Sequence, residues 1–289
     1  MALSFLHGGL PLTFGAFGLG LATTAIGAYV AVGLLLYLEQ GDLLFPAPKE
    51  YEKATPRDAQ LPFEDLHIAV NQTDFIHAWW IPAPSDRAIL MFHGNGQVLE
   101  QMATSEAQTL HQIGANLLLI DYRGYGGSTH VAPDESSICD DARAALAYLR
   151  SQRGFPIERI YVLGRSIGSG PATQMAVDNP GLGGLILESP FSSIYDAARE
   201  IPVARFYPVR WLLRTRFDNL SKIGFVHAPL IVVSGTADTL TPVWMAERIF
   251  ARANQPKQLR LVPGAGHDDL LPVGGQGLTD VLRNFVDHN

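Results

Sequence analysis

A serine between two glycines lies where a predicted strand meets a predicted helix. The pentapeptide G-R-S-I-G at 164–168 follows the apolar run 160–163 and precedes a helical pattern. In this context a G-x-S-x-G turn raises the serine hydroxyl above the end of a sheet, where it can attack a carbonyl carbon. A dinucleotide site would need a third glycine that the segment lacks. We therefore predict that Ser166 is a catalytic nucleophile.

A serine nucleophile needs a base, and the base needs a carboxylate that orients it. Three histidines follow Ser166, and His267 lies in a glycine-rich loop directly after the last predicted strand. Asp238 follows the strand before it, in the segment S-G-T-A-D, and Glu188 at the end of another strand is the reserve acid. The order serine, acid, histidine is one of the known orders of the triad. We predict Ser166, Asp238 and His267 as the catalytic residues.

Two backbone amides are predicted to hold the oxyanion that develops on the attacked carbonyl. The first is the N–H of Ile167, directly after the nucleophile. The second comes from the loop H-G-N-G at 93–96, whose glycines permit close approach of the backbone. Asn95 is the expected donor and Gly96 the alternative. We expect His93 to brace this loop rather than to transfer protons.

Strands and helices alternate along most of the chain, which predicts an α/β fold. The fold class is a doubly wound, mostly parallel eight-stranded sheet with an antiparallel first pair and a short helical cap at about 190–226. The predicted strands are 66–70, 75–81, 88–92, 116–121, 159–163, 185–188, 230–234 and 258–262. The predicted helices are 98–112, 134–153, 167–179, 242–253 and 277–288.

The N-terminal segment carries no Asp, Glu, Lys or Arg before Glu39. Its apolar run from Phe14 to Leu38 is longer than the roughly 20 residues that cross a bilayer. We predict one transmembrane helix; a cleaved signal peptide and a buried core helix are the alternatives. The positive-inside rule, applied to Lys49, Lys53 and Arg57, favours a cytoplasmic domain but leaves its side of the membrane open.

Composition sets the outer limits of the interpretation. The chain has 289 residues, of which 47% are apolar and 17% charged, with a formal net charge of −7. This acidic balance lacks the overall positive charge that is typical of nucleic-acid-binding proteins. The single cysteine, Cys139, can form neither an internal disulfide nor a zinc framework. The predicted organisation is a tail and membrane anchor at 1–41, a linker at 42–60 and a catalytic domain at 61–289.

Six motifs together resemble a known family. They are F-H-G-N at 92–95, D-Y-R-G-Y-G at 121–126, G-R-S-I-G at 164–168, E-S-P-F at 188–191, G-T-A-D at 235–238 and G-H at 266–267. Their order is similar to that of α/β-hydrolases, from Leu61 to the C-terminus. They look most like the membrane-anchored bud-emergence and abhydrolase-domain-containing group, whose relatives include protein depalmitoylases. Val98 departs from that group, which often has an asparagine shortly after its H-G-N.

The resemblance implies a serine hydrolase with no cofactor and no metal, with Ser166, Asp238 and His267 at the matching positions. We expect a single-pass membrane protein that cleaves an ester or thioester, with a lipid or an acylated protein as substrate. The membrane is its expected partner and nucleic acid is not. A serine peptidase of the same fold and a catalytically silent anchored scaffold remain as alternatives.

The predicted cap is unusually basic for this chain. Residues 190–225 carry six cations and three anions, with aromatic residues between them. Either the aromatic rings pack the cap onto the sheet while the arginines are solvated, or the cap rests on a bilayer surface. The aromatic residues are Phe191, Phe206, Tyr207, Trp211, Phe217 and Phe225.

Overall fold

The computed structural model describes residues 11–289, with side chains from Gly18 onward. The chain divides into two compact units after Gln40. In the first, helix α1 covers Pro11–Leu38, and its segment Gly18–Leu38 has a mean hydropathy of 2.0 and no buried residues. Its length and composition suffice for a membrane span, a test that a signal sequence near an N-terminus also meets. The tail before Pro11 lies outside the described residues.

The second unit is built on one eight-stranded sheet, in the order β1-β2-β4-β3-β5-β6-β7-β8. β2 pairs antiparallel with both β1 and β4, and all the other pairs are parallel. The sheet therefore matches the predicted fold class, including its antiparallel edge. The strands are β1 Glu64–Ala69, β2 Phe75–Ile81, β3 Ala88–Phe92, β4 Asn116–Ile120, β5 Ile160–Arg165, β6 Gly184–Glu188, β7 Leu230–Gly235 and β8 Lys257–Val262.

Central strands are mostly apolar because both faces of the sheet are covered, and β3 is apolar at every position. In β3, Leu90 and Phe92 belong to the core on one face, while Ile89 and Met91 belong to the core on the other. Successive side chains of a strand point to opposite faces, so a strand buried on both sides reads as a continuous apolar run. The edge strand β8 instead alternates half-buried with exposed residues along most of its length.

Helices cover both faces of the sheet. They are α2 Gln40–Leu44, α3 Leu99–Met102, α4 Ser105–His111, α5 Glu135–Ser151, α6 Ser169–Asp178, α7 Ile194–Glu200, α8 Val209–Leu212, α9 Asn219–Lys222, α10 Val243–Arg252 and α11 Leu270–His288.

Three of the predicted helices differ from the observed helices in their bounds or their continuity. The predicted helix 98–112 is broken into α3 and α4 because Thr104 has non-helical torsion angles, with φ −101° and ψ −92°. The helix after the nucleophile motif begins with a 3-10 turn, Ser166–Gly168. The last helix starts at Leu270, seven residues earlier than predicted, and is interrupted at Gly275, where φ is +51°.

Residues 190–226, which we call the insertion, connect β6 to β7 through α7, a 3-10 turn at Pro202–Phe206, α8 and α9. The insertion is tied to α6 by Asn219, whose side chain donates to Ser169 Oγ at 2.9 Å and, within the insertion, to the Phe191 carbonyl at 3.0 Å. Phe191 and Phe217 are buried in the core. The root of the insertion is therefore fixed directly beside the N-terminus of α6.

Candidate active site

Ser166 lies on a sharp turn between β5 and α6. Its φ is +49°, in the left-handed region. The two glycines of the motif, Gly164 and Gly168, are required because a side chain would not fit at either position. A Cβ at Gly168 would overlap the carbonyl oxygen of Phe92, and one at Gly164 would overlap the carbonyl oxygen of Gly168. The turn therefore passes close against β3 and lifts the serine to the carboxyl edge of the sheet, as G-x-S-x-G predicts in this context.

The structure brings the three predicted triad residues into one row of hydrogen bonds. His267 Nε2 lies 2.8 Å from Ser166 Oγ, and His267 Nδ1 lies 2.8 Å from Asp238 Oδ2. These residues come from the loops that follow β5, β7 and β8, which run parallel and so end at the same edge. A base within hydrogen-bond distance of the nucleophile, with a carboxylate behind it, is the arrangement that activates a serine.

Asp238 is held as a carboxylate by the loop around it. Its Oδ1 accepts hydrogen bonds from the backbone N–H groups of Leu240 and Thr241 at 2.9 and 2.8 Å. Burial raises the pKa of this carboxyl, but hydrogen bonds from His267 and Thr241 outweigh that effect, and the pKa lies below its ordinary value. Asp238 therefore stays ionised at neutral pH, with its negative charge next to the His267 ring.

Thr241 is a site residue that the sequence reading missed. Its Oγ1 lies 2.8 Å from Asp238 Oδ2, 3.1 Å from His267 Nδ1 and 3.1 Å from the Ser189 carbonyl oxygen. Ser189 in turn donates from Oγ to the His267 carbonyl at 3.1 Å. A threonine three residues after an aspartate is a common local turn signature, and it is the signal that could have found it.

We expect Thr241→Val to lower kcat about tenfold, with little change in KM. Valine keeps the β-branched shape but removes the hydroxyl next to Asp238 Oδ2, and a hydrogen bond to a charged group contributes about 1.5–3 kcal/mol. Thr241→Ser should recover most of the rate because it restores the hydroxyl. Steady-state kinetics with a short ester test this, and an equal loss in the serine variant would contradict the role of the hydroxyl.

The loop at 93–96 runs beside the nucleophile. A Cβ built on Gly94 would lie 3.7 Å from the Cβ of Ser166. The Gly94 N–H already donates to Gln97 Oε1 at 2.9 Å, so it is not available to a ligand. Among the described residues the Asn95 N–H has no hydrogen-bond partner, and Ile167 is the second residue of a helical turn, where N–H groups lack intrahelical partners. The Asn95 N–H from this loop and the Ile167 N–H directly after Ser166 therefore remain the candidate oxyanion donors.

His93 is part of the loop's support. The side chain is buried, with Nδ1 2.8 Å from the Gly94 carbonyl and Nε2 3.7 Å from Asp121 Oδ1. Burial lowers the pKa of this imidazole and keeps it neutral. Asp121 also accepts the N–H of Leu99 at 3.0 Å, so it fixes the far end of the same loop. His93 therefore has the bracing position expected for it.

Glu188, the reserve acid, is engaged elsewhere. Its Oε2 accepts from Arg165 Nε at 3.0 Å and from Nη2 at 2.8 Å. Arg165 also forms an ion pair with Glu106. Burial lowers the pKa of the guanidinium, but the two carboxylates more than offset this and raise it, so Arg165 stays charged. Within the described residues Glu188 makes no bond to His267, whereas Asp238 lies within hydrogen-bond distance of it.

A cavity of about 300 Å³ opens beside His267. Arg165 and Glu106 give it a charged wall. Leu270, Leu271 and Pro272 from the start of α11 give it an apolar one. Its volume is at the small end of the range for ligand pockets. Among the side chains from Gly18 onward, no cluster of three or more His, Cys, Asp or Glu is placed to hold a metal ion.

Comparison with known proteins decides the family. A model of the serine aminopeptidase family, S33, matches residues 83–223. An uncharacterized protein of Mycobacterium tuberculosis is 33% identical over 274 residues, which cover 92% of this chain and 94% of that protein. The α/β-hydrolase domain-containing protein 17B of Xenopus laevis is 31% identical over 204 residues, which cover 70% of this chain and 67% of that protein. The chain belongs to the α/β-hydrolase superfamily.

The fold of this hydrolase agrees with that membership. The esterase Pf2001 of Pyrococcus furiosus superimposes with a TM-score of 0.70 at 20% sequence identity, covering 83% of this chain and 96% of the esterase. At that identity the likeness concerns the fold. Family and fold together assign the chain to the hydrolases, as the six ordered motifs predict.

Proposed function

We propose that this hydrolase cleaves carboxylic esters or thioesters through an acyl-enzyme on Ser166. The observation that carries the proposal is the unbroken row of hydrogen bonds from Ser166 Oγ through His267 to Asp238. The oxyanion donors we propose are the Asn95 N–H, which has no backbone partner among the described residues, and the Ile167 N–H, directly after Ser166. Nucleophile, base, orienting acid and oxyanion donors are the parts that acyl transfer requires.

The mechanism follows from these positions. Ser166 Oγ attacks the carbonyl carbon and gives its proton to His267 Nε2, while Asp238 stabilises the resulting imidazolium. The carbonyl oxygen takes up the negative charge beside the Asn95 and Ile167 amides. The tetrahedral intermediate then expels the alcohol or thiol, which takes the proton from His267. Water, activated by the same histidine, releases the acid and restores Ser166.

The N-terminal apolar helix favours attachment to a membrane and acyl or lipid-like substrates. The α1 segment Gly18–Leu38 is long and apolar enough to cross a bilayer. A retained span would keep the active site near lipids and acylated proteins, whose esters and thioesters are the bonds this chemistry cleaves. We therefore propose a single-pass membrane hydrolase acting on lipid or acylated-protein substrates, with the side of the membrane left open.

A serine peptidase is the second candidate because the matching family model describes serine aminopeptidases. A series of p-nitrophenyl esters and acyl thioesters, run against a panel of aminoacyl p-nitroanilides, separates the two activities. Hydrolysis of esters with no cleavage of the anilides supports our proposal, and the reverse supports the peptidase. A fluorophosphonate probe that forms no adduct on the folded protein would favour the silent scaffold.

Removal of residues 1–41 should leave a soluble domain that still hydrolyses short esters. The second compact unit begins at Gly41, and Phe45, which is buried in its core, is retained by this truncation. Gel filtration, a cooperative thermal unfolding transition and the rate on a short ester test the prediction. Insolubility of the truncated protein in every condition would mean that α1 is part of the domain.

A further inference from the structure

The insertion exposes apolar side chains in one short stretch. Trp211 has 87% of its surface exposed, and Ile201 and Val203 are each 50% exposed. Large apolar residues grouped in this way mark an interaction surface in soluble domains. The buried Phe191 and Phe217 show that only part of the aromatic set packs against the sheet. We call residues 201–211 the insertion surface.

The insertion surface is also basic. From 201 to 211 the sequence contains two arginines, Arg205 and Arg210, and no Asp or Glu, in a chain whose net charge is −7. Arg205 and Arg210 are exposed, and neither takes part in an ion pair among the described side chains. The ion pairs that the insertion does form use Lys222 and Asp196, outside this stretch. Arg205 and Arg210 are therefore available to anions from outside the chain.

We propose that the insertion surface docks on a lipid bilayer whose headgroups carry negative charge. Arginine is attracted to an anionic membrane surface, where each cation contributes about 1 kcal/mol. Indole rings settle at headgroup level because one end is apolar and the N–H is polar. Arg205 and Arg210 alternate with Val203 and Trp211 along the insertion surface, which is the composition of segments that lie in a membrane interface.

Docking would fix the active site relative to the bilayer. Asn219 in the insertion donates to Ser169, three residues after Ser166, so the root of the insertion is anchored close to Ser166. An ester bond of a membrane lipid or acylated protein would then meet Ser166 at a set height above the bilayer. This consequence rests on the proposed function, whereas the docking itself does not.

Tryptophan fluorescence of the full-length protein in vesicles tests the docking. The chain has four tryptophans, of which Trp79 and Trp80 are buried and Trp244 is half-buried. The difference between wild type and Trp211→Phe therefore isolates the signal of the exposed residue. We expect brominated acyl chains to quench Trp211 in phosphatidylcholine vesicles that contain phosphatidylglycerol. The quenching should fall between about 0.1 M and 1 M salt, where the Debye length shrinks from about 10 Å to about 3 Å.

The double variant Arg205→Glu/Arg210→Glu should lower the ratio of docked to undocked protein at least tenfold, because it reverses two charges at the bilayer surface. Arg150→Glu/Arg260→Glu is the matched control, since it makes the same change in net charge at exposed positions outside the insertion. Its quenching should equal that of the wild type. Equal losses in the two double variants would mean that overall charge, not the insertion surface, governs the signal.

Other outcomes separate this proposal from the rest. Equal quenching in neutral and anionic vesicles, or none at low salt, overturns the docking. Fluorescence changes that follow protein concentration and not lipid charge would assign the surface to a second copy of the chain, and also overturn it. Both double variants should hydrolyse a soluble short ester at the wild-type rate. Quenching without hydrolysis in any of the proteins would leave the docking in place and reject the proposed function.

Discussion

Ser166→Ala should reduce the hydrolysis of a short ester by about 10⁴-fold or more while the fold stays intact. The members of a triad act as a unit, so loss of the nucleophile alone removes most of the rate enhancement. Alanine removes only the Oγ, which lies 2.8 Å from His267 Nε2. The measurements are kcat, labelling by a fluorophosphonate and the thermal unfolding midpoint.

The exposed Ser151 at the end of α5 provides a control with the same chemical change. Ser151→Ala should keep both the rate and the labelling of the wild type. If Ser166→Ala retained more than about a tenth of the wild-type rate, another residue would have to be the nucleophile.

Asp238→Asn should lower kcat by about 10³–10⁴-fold. An amide at this position can donate to Nδ1 of His267, which favours the tautomer whose Nε2 carries the proton and cannot accept one from Ser166. The backbone donors on Oδ1, from Leu240 and Thr241, would keep the side chain in place. The variant should therefore fold normally, and circular dichroism with steady-state kinetics would separate the catalytic loss from a loss of structure.

Variants of two further carboxylates serve as comparisons for Asp238→Asn. Asp268 is next to His267 in the sequence but exposed, so Asp268→Asn should have nearly the wild-type rate. Glu188→Gln should lower stability more than activity because the carboxylate it removes is paired with the buried Arg165. A larger loss of activity in Glu188→Gln than in Asp238→Asn would transfer the role of the acid to β6.

The sequence predicts the fold well where a single physical cause dominates. A strand covered on both faces must be apolar throughout, and β3 is therefore found at its predicted bounds, Ala88–Phe92. The candidate triad follows from the same logic, because parallel strands end at one edge and place Ser166, Asp238 and His267 in neighbouring loops. The spatial row of hydrogen bonds is then a consequence of topology.

Features that depend on long-range packing are harder to predict. Arg165 occupies a variable position of its motif, and nothing local indicates that Glu106 and Glu188 will meet its guanidinium in the interior. The aromatic residues of the insertion are another case, because some are buried and others are exposed. Phe217 is buried because it packs against α6, whereas Trp211, six residues earlier, is exposed. Local composition is similar at both positions, so only the tertiary fold distinguishes them.

The left-handed backbone of Ser166 sets folding stability against activity at one position. A residue with a Cβ costs roughly 1–2 kcal/mol in that conformation, whereas glycine adopts it freely. Selection for thermal stability alone would thus favour glycine at this turn, and selection for turnover favours serine. The rest of the domain must offset this cost, and the turn that carries the φ of +49° packs closely against β3. If Ser166 is the nucleophile that we propose, substitutions that raise thermostability without loss of activity must lie at other positions.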